Sequence, residues 1–208
     1  MIKALSDPCL LQSQNLIDAI LSYNRTDRWN FDGLAYFLDE DLTDEEKSAF
    51  YDNILPAMCK LALQLPQVLT KPMPLLQRRK SQKITLSQHQ IASLLANAFF
   101  CTFPKRNSRG KRSEYASYPS INFNSLFAKA NDEKQMEKLK CLIHYFRKRF
   151  DAGTSCAGQG LVTFSRRALS DEQLPCWKKS HKKILRLKVD SNGTIEDEAN
   201  QGMLEVNW

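Results

Sequence analysis

The sequence lacks the features that mark membrane-spanning, secreted and zinc-binding proteins. It contains no run of eighteen apolar residues, and its first residues, MIKALSDPCLLQSQ, lack the continuous apolar stretch of a signal peptide. Its six cysteines are widely separated, with no C-x-x-C spacing and no nearby histidine pair. These absences argue against a membrane segment and a zinc site. They predict an intracellular protein whose thiols stay reduced.

The common catalytic and nucleotide-binding motifs are also absent. There is no G-x-S-x-G, Walker loop, dinucleotide fingerprint or H-E-x-x-H, and all seven glycines are isolated from one another. His89, His144 and His181 are far apart in sequence, so they do not suggest a catalytic triad. No cofactor and no metal are predicted. Glu196 lies beside the turn residues Asn192-Gly193. The sequence pattern alone predicts that it is an acid exposed to solvent.

The composition is that of a folded, basic protein. Charged residues make up 25% and hydrophobic residues 42% of the 208, which is ordinary for globular domains. The net charge of +7 favours contact with polyanions, although a solvated basic face explains that charge more simply. Residues 105–112 hold five cations around Gly110. Three readings of that loop remain open: a nuclear signal, a polyanion contact and a solubilising loop.

Helical periodicity is strongest in residues 85–104. Ser87 and Gln90 form a capping box, and apolar residues on nearly every face predict a buried helix. Pro104 is expected to end it, because proline lacks an amide donor and disfavours helical geometry in the residue before it. The apolar pattern of residues 132–150 predicts another helix. One face of that helix is formed by Met136, Leu139, Ile143, Phe146 and Phe150.

Weaker signals predict further helices upstream. An N-terminal amphipathic helix beginning near Asp7 should end before Asn24, and Thr43 with Glu46 forms a second capping box. Pro56 lies in the periodic stretch that follows, so we expect the helix to break near Leu55. Residues 66–80 show no periodic pattern and predict an extended connector.

The pattern changes after residue 150. GLVTFSR at 160–166 is typical of a strand, residues 185–189 alternate, and Asn192-Gly193 is a hairpin signal. The sequence therefore predicts an α+β protein with a mostly helical region at 1–150 packed against the first strands of a sheet in 151–208. Because a strand pattern is still building at residue 208, we expect that sheet to be incomplete.

Several segments in the same order resemble one enzyme family. They are ILPAMCKLALQLP, KPMPLL, SQHQIASLLANAFFCTFPKRN, SEYASYPSINFNSLF, GLVTFSR, GTIED and QGMLEV. Together they resemble the poly(ADP-ribose) glycohydrolase family over most of the chain. The resemblance implies a helical accessory region at 1–150 and the beginning of a macrodomain-like α/β core at 151–208. It also implies cleavage of ribose–ribose bonds in poly(ADP-ribose), with release of ADP-ribose.

The resemblance assigns roles to a few residues near the end of the chain. Ile195 and Glu196 match the family pair at the adenine end of the ADP-ribose pocket, where the acid accepts a hydrogen bond from the base. Asn207 and Trp208 stand where the family has an Asp-Phe pair that leads into a glycine triplet and a Gln-Glu-Glu signature. An amide at position 207 cannot ionise, and Glu45-Glu46 is the only Glu-Glu pair.

These matches lead to one main expectation and two alternatives. The first is a truncated, catalytically incompetent poly(ADP-ribose) glycohydrolase, since glycoside cleavage needs two placed carboxyl groups. The second is a non-catalytic protein that binds or regulates poly(ADP-ribose), and the third is a generic basic nucleic-acid module. Poly(ADP-ribose) or ADP-ribosylated proteins are the expected partners, with no obligate oligomer. Nucleus and cytoplasm are the expected locations, and the DNA damage response the expected setting.

Overall fold

A computed structural model describes most of the chain, in two compact units at residues 1–169 and 170–208. The described residues are 12–24, 29–104, 118, 120–130, 132–150, 160–183, 189, 191, 193–194, 197 and 201–202.

Helices dominate the first unit. Its α-helices are α1 Ser13–Tyr23, α2 Asp32–Tyr36, α3 Asp44–Ala49, α4 Leu55–Leu63, α5 Leu65–Val68, α6 Gln88–Phe99 and α7 Glu133–Phe150. Two π-helical segments, Phe37–Asp41 and Phe50–Ile54, extend α2 and α3, and Phe123–Ser125 forms a 3-10 turn. The predicted α+β class with a helical N-terminal region is confirmed.

Two strands in the same unit form a small antiparallel sheet. They are β1, Gln82–Ser87, and β2, Leu161–Arg166, paired with Ile84 opposite Phe164 and Leu86 opposite Val162. The strand predicted at 160–166 is confirmed, whereas β1 was not predicted. β1 lies within the predicted helical region and pairs with β2 beyond residue 150. The proposed division of the chain at residue 150 stays a prediction.

Pro56 does not interrupt the helix. The chain passes from α3 through the π-helical segment Phe50–Ile54 directly into α4, with Ile54 and Leu55 both in helical conformation. Proline is well tolerated in the first turn of a helix, where its missing amide hydrogen would have no partner in any case. The predicted break near Leu55 is therefore not present. The structure has a wider, π-helical turn before Leu55, and the helical geometry continues through it.

The core of the first unit is rich in phenylalanine. Phe99 packs edge-on against Phe127 with ring centroids 5.4 Å apart, and Phe31 packs on Phe127 at 5.5 Å. Six phenylalanines are essentially inaccessible to solvent: Phe37, Phe50, Phe99, Phe100, Phe127 and Phe146. The predicted apolar face of α7 is buried at Met136, Leu139, Ile143 and Phe146. Fully burying one such ring stabilises the fold by roughly 1.5–3 kcal/mol.

Small and polar residues of α6 pack against α4 and α5. Ala92, Ser93, Ala96 and Asn97 are all buried. Ser93 Oγ donates to the carbonyl of Leu61 at 2.7 Å, and Asn97 Nδ2 donates to that of Ala62 at 3.1 Å.

These bonds satisfy carbonyls at the end of α4. The Ala62 carbonyl has no helical donor four residues on, because that residue is Pro66. Gln90 acts in the same way further along, since its Nε2 donates to the carbonyl of Val68, the last residue of α5, at 2.8 Å. An unpaired buried carbonyl would destabilise the fold, so these bonds fix how α6 sits on its neighbours.

The two ends of α6 differ in how well the sequence predicts them. At the start, the Ser87–Gln90 capping box is present as predicted. At the end, the helix stops at Phe99, not at Pro104: Cys101 adopts a left-handed φ of 54° and the amide of Thr102 donates to the carbonyl of Asn97 at 3.0 Å. This is a Schellman-type termination, which normally uses glycine at the left-handed position.

Other expected helix ends can be compared with the structure. The Thr43–Glu46 capping box is present and α1 ends just before Asn24, both as predicted. The predicted start of that helix near Asp7 is wrong, because Gln12 is extended and α1 begins at Ser13. Asp7 itself lies outside the described residues.

Gly33 allows the start of α2 to contact the turn after Phe127. The amides of Gly33 and Leu34 both donate to the Phe127 carbonyl, at 2.8 and 3.2 Å. A Cβ atom at residue 33 would lie 2.5 Å from the Lys129 carbonyl oxygen and 2.8 Å from that of Phe127. Glycine is required here by this close backbone approach.

The second unit, residues 170–208, has little regular structure among its described residues. It contains two 3-10 turns, Asp171–Gln173 and Trp177–Lys179. Its described apolar side chains are highly exposed, including Leu174 at 56%, Trp177 at 79% and Val189 at 82%.

Replacing Asn97 by alanine should destabilise the chain. The Ala62 carbonyl and the Thr102 hydroxyl, which donates to Asn97 Oδ1 at 2.6 Å, would both lose a partner. We expect the free energy of unfolding in urea to fall by about 1–3 kcal/mol. The exposed Asn53 is the matched control, and its alanine variant should change stability little. Equal effects at the two positions would refute the capping role of Asn97.

Replacing Gly33 by alanine should destabilise the chain despite the better helix propensity of alanine. The contacting atoms are backbone carbonyls that cannot rotate away, so we expect a loss of about 1–3 kcal/mol in urea unfolding. Gly193 is the control, because its added Cβ would meet only the side chain of Asp197. A Gly33→Ala variant as stable as the parent chain would contradict the close approach.

Candidate functional site

The site residues assigned through the family resemblance lie outside the described residues. This applies to Ile195 and Glu196 at the expected adenine end, and to Asn207 at the expected aspartate position. Their roles stay predictions.

Within the first unit, apolar side chains line a groove of about 550 Å³ between the sheet, α6 and the connector that precedes β1. We call it the apolar groove. It is lined by Met73, Pro74, Leu75, Leu76, Ile84, Leu86, Ile91, Leu94, Leu95, Tyr118, Phe164 and Arg166.

The alternation of the two strands supplies one wall of the apolar groove. Side chains two positions apart share a face, so Ile84 and Leu86 of β1 lie on the same side as Phe164 of β2. The other face is polar, and there Thr85 and Thr163 are linked through their hydroxyls at 2.8 Å. Phe164 remains 45% exposed, so the apolar wall is not covered by the described part of the chain.

A second face of α6 supplies the opposite wall. Ile91, Leu94 and Leu95 follow the i, i+3, i+4 spacing of one helical face and are only half-buried. The face of α6 that packs on α4 is the opposite one. The expectation that a helix apolar all round is fully buried is therefore wrong for this side of α6, which is apolar because it lines a groove.

Arg166 closes one end of the apolar groove. Its Nη1 donates to the carbonyl of Leu76 at 2.7 Å and to the hydroxyl of Tyr118 at 2.9 Å. Through these bonds the guanidinium links the end of β2 to Leu76, in the segment before β1, and to Tyr118. Arginine is suited to this because its donors are fixed in a planar fork.

The described lining of the apolar groove is almost entirely apolar. Its polar side chains are Arg166 and Tyr118, and the guanidinium of Arg166 donates to the hydroxyl of Tyr118. Chemically, the surface can bury apolar side chains of another segment.

Three groups outside the apolar groove have raised pKa values. Burial raises the pKa of the Cys59 and Cys101 thiols to about 12, and it also raises the pKa of Tyr23. Thiols held protonated in this way are poor nucleophiles.

The Glu45-Glu46 pair does not form a catalytic centre either. The carboxylate of Glu46 accepts a hydrogen bond from the amide of Thr43 at 3.0 Å as part of the capping box. Glu45 is fully exposed, and hydrogen bonds from its own backbone and from Thr43 lower its pKa. A general acid for glycoside cleavage needs the opposite shift.

Two further kinds of feature are absent from the described part of the chain. No helix there has both the length and the apolarity to cross a lipid bilayer. No group of three or more His, Cys, Asp or Glu side chains is placed there to hold a metal ion.

The apolar groove was not identified from the sequence. Its lining residues come from segments far apart in the chain. The strand β1 was not predicted because it lies between a basic run and a strong helix-start signal. One signal was available: Ile84 and Leu86 alternate with Lys83 and Thr85 as in a half-buried strand.

Comparisons with known proteins identify the family. A family model described as "Poly (ADP-ribose) glycohydrolase (PARG), helical domain" matches residues 42–166, more than half of the chain. Poly(ADP-ribose) glycohydrolase 1 of Arabidopsis thaliana is 32% identical over 205 residues, which cover 90% of this chain and 36% of the relative. Probable poly(ADP-ribose) glycohydrolase 2 of the same plant is 32% identical over 218 residues, covering 90% of this chain and 40% of the relative.

The matched residues, 42–166, run from the end of the first π-helical segment to the last residue of β2. The class of protein that this fold defines is a helical domain with a two-stranded sheet and an exposed apolar groove. The chain belongs to the poly(ADP-ribose) glycohydrolase family. It spans about two fifths of the length of these relatives.

Polar substitutions in the apolar groove should weaken binding of an apolar dye. We expect Leu94→Ser combined with Phe164→Ser to reduce the fluorescence of bound anilinonaphthalene sulfonate by at least about twofold, because both residues line the groove. Far-UV circular dichroism would check that the helices remain. Leu63→Ser, at a 39% exposed leucine outside the groove, is the control. Equal dye loss in the control would show that the dye does not report on the groove.

Proposed function

We propose that this chain is the helical region, with the beginning of the macrodomain-like core, of a protein that hydrolyses ribose–ribose bonds in poly(ADP-ribose). In this proposal the helical unit braces the part of the enzyme that holds ADP-ribose. The observation that carries it is the apolar groove, together with the family match over residues 42–166. Poly(ADP-ribose) glycohydrolase activity belongs, by name, to the relatives.

The exposure of apolar groups at the sheet supports a docking role. Leu161, Val162 and Phe164 of β2 are 74%, 37% and 45% exposed, and Met73 on the connector is 44% exposed. Val162 and Phe164 lie on one face of β2, the side on which Phe164 lines the apolar groove, whereas Leu161 lies on the other face with Thr163. A covering segment of the catalytic core would remove the groove side from solvent.

The second unit supports the assignment of its residues to the start of a larger core. Its described apolar residues, including Trp177, are exposed, and a segment this short seldom forms a core alone. We propose that Ile195 and Glu196 bind the adenine end of ADP-ribose when that core is complete.

We further propose that the 208 residues alone do not cleave poly(ADP-ribose). Cleavage requires one carboxyl group to protonate the leaving oxygen and another to stabilise the oxocarbenium-like centre. Glu46 is committed to a helix cap, and Glu45 has a lowered pKa. Asn207, at the family's aspartate position, carries an amide that cannot ionise.

The alternative function is a non-catalytic protein that binds poly(ADP-ribose) or regulates its turnover. Binding without cleavage in every longer product would favour it. In either case we propose poly(ADP-ribose) or ADP-ribosylated proteins as partners and the nucleus and cytoplasm as locations, within the DNA damage response.

A chimaeric enzyme tests the bracing role. Residues 42–166 would replace the matching segment of poly(ADP-ribose) glycohydrolase 1 of Arabidopsis thaliana, and release of ADP-ribose would be measured. We expect the chimaera to be active, and Leu94→Asp within it to lower the rate by about tenfold or more, because a charge would be buried in the apolar groove.

Two controls accompany the chimaera. Leu63→Asp, outside the groove, should leave its activity within about twofold of the unmodified chimaera, as expected for a surface substitution. The chain of 208 residues alone should release no ADP-ribose. An inactive chimaera beside an active parent enzyme would refute the bracing role, and release by the chain alone would refute its incompetence.

A further inference from the structure

The helix α7 carries a large part of the positive charge of the chain. Its eighteen residues include six Lys or Arg against two Glu, a surplus of four within a total net charge of +7. The buried face of α7 is occupied by apolar residues, so these charges lie on its sides and its exposed face.

Lys140 and Arg147 lie on one side of α7, and both have partners there. Lys140 contacts Asp41 at 3.1 Å and Glu137 at 3.3 Å, so its charge is compensated. Arg147 donates to His144 Nδ1 at 2.9 Å on the same side, since a guanidinium has no acceptor. Among the described residues, no ion pair is recorded for Lys134, Lys138 or Lys148.

These three lysines lie on the exposed face, where Glu137 borders Lys134 and Lys138, and Lys148 follows ten residues beyond Lys138. Lys134, Lys138 and Lys148 are exposed, and at 100° per residue they fall on one side of the helix within a narrow arc. At 1.5 Å per residue the line is roughly 21 Å long. We call it the lysine stripe.

An aromatic residue lies on the same stripe. Tyr145 falls between Lys138 and Lys148 on that arc and is half-buried, with its ring edge-on to Phe146 at 5.2 Å. The Phe146 contact holds the tyrosine ring in place. Cations interleaved with a partly exposed aromatic ring are typical of surfaces that bind single-stranded polyanions carrying bases.

We propose that the lysine stripe binds a stretch of poly(ADP-ribose) away from the bond being cleaved. The lysines would neutralise diphosphates of successive units, and Tyr145 would stack on an adenine. This inference rests on the proposed function for the identity of the polymer. It adds a second contact that favours long chains over single ADP-ribose units.

The test measures binding by the whole 208-residue chain, without hydrolysis. Fluorescence anisotropy would compare labelled poly(ADP-ribose) of about twenty units with mono-ADP-ribose, single-stranded RNA and inorganic polyphosphate, at several salt concentrations. We expect Lys134→Gln, Lys138→Gln and Lys148→Gln together to weaken polymer binding by about tenfold. They should lower the slope of log affinity against log salt by about 2, near 0.7 for each lost phosphate contact.

A matched variant separates position from total charge. Lys60, Lys71 and Lys80 are exposed and lie outside α7, so replacing them with Gln changes the net charge by the same amount. This control should lower polymer affinity by less than about threefold. An equal loss in the two triple variants would overturn the lysine stripe in favour of unspecific attraction.

Tyr145→Leu tests the stacking contact. We expect it to weaken binding of poly(ADP-ribose) by at least about fivefold while leaving binding of inorganic polyphosphate unchanged, because polyphosphate has no base to stack. A parallel loss for polyphosphate would indicate a structural effect and would overturn the role of Tyr145.

Equally tight binding of RNA would assign the stripe to polyanions in general, against the proposal. The chimaera can be inactive while these binding results hold, and it can be active while they do not. The two proposals are therefore tested independently.

Discussion

The need to pair buried backbone carbonyls organises this structure. Near the end of α4, Leu61 and Ala62 are buried, so water has little access to their carbonyls. Ser93 and Asn97 of α6 donate to these two carbonyls and Gln90 donates to that of Val68 in α5, at spacings of three and four residues along one helical face. Because each bond has a definite partner, α6 has one register and one orientation on its neighbours. Apolar contact alone would define that orientation less sharply.

This arrangement explains the unusual composition of α6. The face that meets α4 must be small and polar enough for close approach and hydrogen bonding, so it holds Ala, Ser and Asn. The larger apolar residues, among them Leu94, lie on the opposite face and form one wall of the apolar groove. One helix thus joins the core of the domain to the surface proposed to brace the catalytic part.

The same separation applies to function. The described residues of this family member form a helical unit with an apolar groove and a cationic helix face, while the residues proposed to bind the ligand lie near the end of the chain. The Glu45-Glu46 pair shows why residue type alone is insufficient. One of these acids caps a helix and the other has a lowered pKa, so neither has the surroundings that a glycosidase acid requires.

Local features were determined by the sequence itself: both capping boxes, the apolar face of α7, the strand at 161–166 and the family. Each depends on neighbours within about one helical turn or on alternation along one strand, so the pattern carries the information. Only the tertiary structure decided that α6 ends before Pro104, that β1 exists, and that Ile84, Leu94 and Phe164 share a groove. These depend on partners far along the chain. The causes of these features involve residues from more than one segment: the left-handed backbone of Cys101, the pairing of β1 with β2, and a groove wall built from three segments. A short stretch of sequence does not contain those partners.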